Sequence, residues 1–179
     1  MPFNLDYETI CRSDKGTLER LLSEGFAPAL ESLRGWEFRG YNVNPGTAIL
    51  GFRKFKKGFF ADPDNSTFLK GYNVKVVQNC LQEPWVEKRK DGNAIRHSYY
   101  EVYPVRAAGP DNLYLNSLFL NYGIAGKPVW DPSCTIRDYL VQVSEKNENL
   151  LLGKAYVALG SVRIVGGFFV LERHNEIVA

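Results

Sequence analysis

The residues best suited to chemistry lie in one alternating run, Ile95-Arg96-His97-Ser98-Tyr99-Tyr100-Glu101-Val102-Tyr103-Pro104-Val105. If this run is a β-strand, its side chains alternate between two faces. His97, Tyr99, Glu101 and Tyr103 then share a face, two residues apart. That face is the bulkier one, and we assign it inward. Such a column can hold a polar ligand head. It can also do acid–base work if burial shifts its titrations. The run Thr135–Val143 offers a second candidate. Its odd face carries Arg137 and Tyr139, and an inward arginine would fork onto a carboxylate head. Either strip could equally be solvated and structural.

The segment Phe52-Arg53-Lys54-Phe55-Lys56-Lys57-Gly58-Phe59-Phe60 interleaves four basic residues with four aromatics. On a surface it would dock phosphates, bases or an anionic membrane. On an edge strand, lysines guard against aggregation. His97 and His174 are the two histidines, too far apart for metal spacing, and no metal site is expected. Cys11, Cys80 and Cys134 form no CxxC pattern. They read as free thiols, which suits a reducing cytoplasm. No GxGxxG, GKS/T, HExxH or GxSxG is present, which argues against nucleotide, zinc-protease and hydrolase chemistry. No catalytic residue is assigned.

These side chains need a scaffold. The chain has 179 residues, 45% hydrophobic and 23% charged, which excludes a disordered chain and fits one domain. Its net charge of +2 is too balanced for a protein devoted to nucleic acid. The N-terminus shows no secretory signal and no run is long enough to span a membrane. Residues 1–34 read as a helical lead-in. Ser13 or Asp14 caps a helix carrying Leu18, Leu21 and Leu22 at helical spacing, and Gly25 stops it. A second turn is read from Pro28 to Leu33.

From Gly35 onward aromatic and β-branched residues dominate, with turn signals every 8–14 residues. Strands are expected at 35–43, 47–56, 58–62, 67–78, 94–105, 112–121, 135–144, 150–158 and 162–173. Many short strands without intervening helices indicate an antiparallel all-β fold. About nine or ten strands would curl, and closure removes their edges. The expected fold is a single β-barrel over residues 35–174 within one domain, 1–179. A sandwich is the alternative. Gly166-Gly167 in mid-strand predicts a bulge or bend.

The stretch Arg34-Gly35-Trp36-Glu37-Phe38-Arg39-Gly40 after the helix, with the ending Gly167 to Arg173, resembles the calycin-type barrels. These include lipocalins, fatty-acid-binding proteins, nitrobindins and the GxWxG-domain proteins. Gly and Trp are adjacent here, and the next glycine follows Trp36 by four places. The resemblance implies a lipocalin-like barrel with Arg173 stacked on Trp36 to close one end. It also implies an apolar ligand. Nitrobindins carry haem on a histidine near the C-terminus, which makes His174 the candidate if haem is the cofactor; the cofactor is otherwise unknown.

The leading expectation is an intracellular, cytoplasmic binder of a small hydrophobic or amphipathic ligand. Its polar contacts would come from His97, Tyr99, Glu101, Tyr103, Arg137 and Tyr139. The alternative is an isomerase, cyclase or lyase using the same cavity. A second alternative is an interaction module using the basic aromatic segment at 52–60.

Overall fold

The computed structural model describes residues 5–44, 51–63, 65–124 and 131–177. Helices come first. Asp6 caps α1 (Tyr7–Cys11) by accepting from the Thr9 amide at 2.8 Å. Asp14 caps α2 (Lys15–Glu24), accepting from the amides of Gly16 and Thr17 at 2.8 and 3.1 Å. A single turn, α3 (Leu30–Leu33), leads into the sheet.

The strands are β1 (Trp36–Asn42), β2 (Lys54–Asp62), β3 (Asn65–Lys75), β4 (Arg89–Lys90), β5 (Asn93–Ala94), β6 (Arg96–Pro104), β7 (Leu118–Asn121), β8 (Ile136–Gln142), β9 (Leu150–Leu159) and β10 (Val162–Glu176). Among the described residues, eight of them close an antiparallel barrel in the order β1-β10-β9-β8-β7-β6-β3-β2. Strands β4 and β5 form a separate hairpin outside it. The barrel therefore has eight strands rather than nine or ten. One reason is that the strands expected at 47–56 and 58–62 are continuous in β2. Gly58 does not break it, because Gly58 lies opposite Tyr72 and that ring covers it. Residues 47–50 of the expected strand lie outside the described residues. So do residues 45–46, 64 and 125–130, which fall between expected strands.

Glycines opposite aromatic rings recur. Gly40 faces Phe55, Gly71 faces Tyr100 and Gly153 faces Phe169, each pair directly across two neighbouring strands. A Cβ at Gly153 would collide with the Phe169 ring. The absent side chain lets the ring lie flat on the wall instead of filling the barrel. At Gly167, φ of 133° marks the expected bulge, where the β9–β10 register shifts between Val165 and Gly167.

Apolar side chains segregate into an inner core and an outer layer. Phe38, Phe59, Leu69, Tyr100, Val102, Leu118, Leu120, Leu140, Leu151 and Leu171 fill the inside, capped by Leu33 of α3. Helices α1 and α2 bury Ile10, Leu18 and Leu22 against Tyr41, Val141, Leu152 and Val170 on the outer wall. A third cluster, Phe119, Tyr139 and Tyr156, also lies on the outside. None of the described helices is long and apolar enough to cross a membrane.

Candidate functional site

The two ends of the barrel differ. At one end Trp36 pairs with Phe59, and α3 covers the opening. The Arg173 guanidinium lies 4.7 Å from the centre of the Trp36 ring and donates to the Ser32 carbonyl at 2.8 Å. The structure thus brings together the two residues that the calycin resemblance pairs. Among the described residues the other end is open. A cavity of about 670 Å³ enters there, with walls that include Phe55, Ile136, Ala155, Val157 and Phe169.

The floor of this cavity is polar. Lys57 of β2 reaches Asp138 of β8, with Nζ 3.1 Å from Oδ2. In the closed ring of eight strands, β2 and β8 stand four places apart, so this ion pair spans the barrel from wall to wall. Both side chains are buried, with Lys57 2% and Asp138 3% exposed. Lys57 also donates to Asn73 Oδ1 at 3.1 Å and to the Tyr122 hydroxyl. Tyr122 donates to Asp138 Oδ2 at 3.0 Å. The ammonium lies 4.7 and 5.0 Å from the ring centres of Tyr100 and Tyr122. Burial pulls the Lys57 titration down, against the opposing pull of Asp138. Burial first, then the Asp138 charge, holds Tyr122 as a neutral phenol.

Sequence alternation did not place the β6 residues correctly. Ser98 sits at φ 48°, and the β3–β6 register shifts there: Gly71 pairs with Tyr100, but Asn73 pairs with His97. The extra residue reverses the parity. Tyr100 and Val102 face the inner core, and so does His97 at the cavity wall. Tyr99 is 45% exposed, and Tyr103 packs outside against Phe119. Glu101, half-buried, lies between Lys70 and Asn121 on the neighbouring strands. The expected column His97–Tyr99–Glu101–Tyr103 therefore does not converge, and the acid–base set drawn from it is divided between two sides of the wall.

On β8 the inward face is Ile136, Asp138 and Leu140. Arg137 consequently lies outside, 3.4 Å from Asp111, with Nη1 donating to the carbonyls of Cys134 and Ile136. It is no anion clamp within the barrel. Tyr139 is buried in the outer cluster between Phe119, Tyr114 and Tyr156. His174 is exposed, with Nδ1 2.6 Å from Asn175 Oδ1. No cluster of three or more His, Cys, Asp or Glu among the described residues could hold a metal ion.

The basic aromatic segment is also not a free surface. Lys54, Lys56 and Lys57 are 1%, 4% and 2% exposed. Only Lys57 points into the barrel. Lys56 lies on the outer wall in a buried network with Glu37, Glu87 and Asn175. Lys54 holds the crossing segment 79–85, donating to Asn79 Oδ1 and to the carbonyls of Cys80 and Glu83 at 3.0 and 2.8 Å. Its ammonium sits 3.6 Å from the Trp85 ring centre.

Asp138, Asn73 and Tyr122 were not singled out from sequence. One signal was available: period two in β2 puts Lys57 between Phe55 and Phe59 on one face. A lysine flanked by phenylalanines on a buried face needs a partner across the interior.

His97 gives a direct test of this geometry. Burial lowers its titration below the ordinary 6.5, and the cations Lys75 and Lys57 lower it further. Its NMR midpoint is expected below 6.5, and Lys75→Gln is expected to move it upward. The unfolded chain binds the proton more readily, so His97 contributes stability above 6.5 that is lost as pH falls through the lowered midpoint. A midpoint at or above 6.5 would place the imidazole outside the wall.

Compared with known proteins, the chain matches no family model, no curated protein and no solved structure.

Proposed function

We propose that this protein binds one small apolar or amphipathic molecule inside the barrel. The observation that carries this reading is the cavity of about 670 Å³, open at one end, with aromatic and aliphatic walls and a polar floor. Its size lies within the roughly 300–1,000 Å³ range of small-molecule sites, and a few convergent polar groups among apolar walls are what such sites use for orientation. The closed end supports the same reading. Trp36, Arg173 and Leu33 seal it, so a ligand has one way in. The calycin resemblance points to the same class of ligand.

Nile red, whose emission reports an apolar environment, tests this. It is expected to bind at one saturable site per chain. Ala155→Phe adds a ring to the cavity wall, directly across from Asp138 on the neighbouring strand. It is expected to weaken Nile red binding at least about 10-fold, a difference of about 1.4 kcal/mol, while the far-ultraviolet circular dichroism stays unchanged. Equal binding by a folded Ala155→Phe protein would overturn the reading.

A further inference from the structure

The floor of the cavity has an unequal hydrogen-bond account. An ammonium has three protons. Those of Lys57 face three acceptors: Asn73 Oδ1 at 3.1 Å, the Tyr122 oxygen and Asp138 Oδ2 at 3.1 Å. Asp138 Oδ2 also accepts from Tyr122. Asp138 Oδ1 is different. It is buried and has no hydrogen-bond partner among the described residues. A buried carboxylate oxygen left unpaired is costly and is a place where a donor is missing.

We propose that the ligand carries an uncharged hydrogen-bond donor, a hydroxyl or an N–H, at its leading end, and that Asp138 Oδ1 receives it. This rests on the cavity being a ligand site and specifies the ligand's chemistry. A carboxylate head does not fit this floor. It would meet the Asp138 charge, and the Lys57 protons that could receive it are already engaged. An ammonium head does not fit either, because Lys57 lies at the floor and Lys75 and Lys88 line the same cavity. An alcohol or phenol on an apolar body meets both conditions. Sites built to hydrogen-bond a hydroxyl reject analogues that lack it more strongly than apolar pockets discriminate by size.

A matched probe set tests the head group with the body held constant: naphthalene, 2-naphthol, 2-naphthoate and 2-naphthylmethylammonium, each displacing Nile red. At about pH 7.5 the naphthol is neutral and the other two substituted probes are charged. In the unmodified protein, 2-naphthol is expected to bind about 10-fold or more tighter than each of the other three. In the Lys57→Met/Asp138→Leu double variant, the preference over naphthalene is expected to vanish while naphthalene still binds. Equal or tighter binding of 2-naphthoate overturns the proposal, and so does an unchanged preference in the double variant. If neither Nile red nor any probe binds the unmodified protein, the cavity reading itself fails, and that result is distinct from binding without head-group preference.

Discussion

Replacing both members of the buried ion pair, as Lys57→Met/Asp138→Leu, is expected to leave the protein about as stable as the original or more so. Each single replacement is expected to cost about 3–5 kcal/mol in urea unfolding. Lys57 and Asp138 are both almost wholly buried, and they meet across the full width of the barrel. Taking two charges out of water is expensive, and their attraction returns only part of it. Removing one partner strands the other. Removing both leaves apolar groups among Tyr100, Phe169 and Tyr122, which already surround the ammonium. The two single variants should differ in pH dependence. In Asp138→Leu the lysine loses the partner that favours its charge, and burial already lowers its titration. The unfolded chain still binds that proton up to the ordinary value near 10.5. Stability of Asp138→Leu therefore rises as pH increases toward that value. In Lys57→Met the stranded group is an acid, and raising the pH gives no such recovery. If the double variant is as unstable as the sum of the singles, the pair is not coupled as described. If the double variant is stable, the pair is not needed for the fold, and its role lies in what the cavity holds.

Lys54→Met is expected to destabilise by about 3 kcal/mol, through a different mechanism. Here the ammonium lies on the outer wall and holds the segment that crosses from β3 to β4. It donates to Asn79 Oδ1 and to the carbonyls of Cys80, Glu83 and Pro84, and it rests on Trp85. Methionine would keep the stem packed but leave those acceptors unsatisfied, at about 1–3 kcal/mol for each group kept out of water. The segment has other anchors. Trp85 Nε1 donates to the Gly40 carbonyl at 3.2 Å, and Gln78 exchanges two hydrogen bonds with the Lys54 backbone. Opening should therefore be local. Amide exchange is expected to accelerate most over residues 79–86, with the barrel strands β8, β9 and β10 following only the global change. Uniform acceleration across the barrel would mean that Lys54 supports the whole sheet and not this crossing.

Much of the architecture was legible in the sequence because it depends on local chemistry. Asp14 caps α2 through its carboxylate, and the helix ends at Gly25, where the chain turns extended and a side chain would collide with Val141. Turn residues at short spacing marked the strands. The Gly166-Gly167 pair marked a bulge through the backbone freedom of glycine. Trp36 and Arg173, 137 residues apart, came together because a motif resemblance supplied what local pattern does not. The site was less legible, because it depends on parity and register. The bulge at Ser98 carries no glycine to announce it, yet it turns His97 in and leaves Tyr99 out. On β8 a one-residue difference in parity decides whether Arg137 or Asp138 enters the barrel. The lysines of β2 looked like a solvated strip because lysine usually is one. Their burial follows from partners far along the chain: Asp138 for Lys57, Glu37 and Glu87 for Lys56, and the 79–84 carbonyls for Lys54. Cross-barrel pairing of this kind is set by strand order and stagger, which periodicity within one strand does not encode.

The proposed function depends on a ligand seated above the Lys57–Asp138 floor. Titration of the isotope-labelled protein with 2-naphthol, followed by NMR, tests it most directly. Saturable shifts are expected at one equivalent, concentrated on Phe55, Ile136, Ala155, Val157 and Phe169, with the Tyr122 ring responding at the floor. Shifts confined to the outer cluster of Phe119, Tyr139 and Tyr156 or to the helices, or no saturable response in the barrel interior, would contradict it.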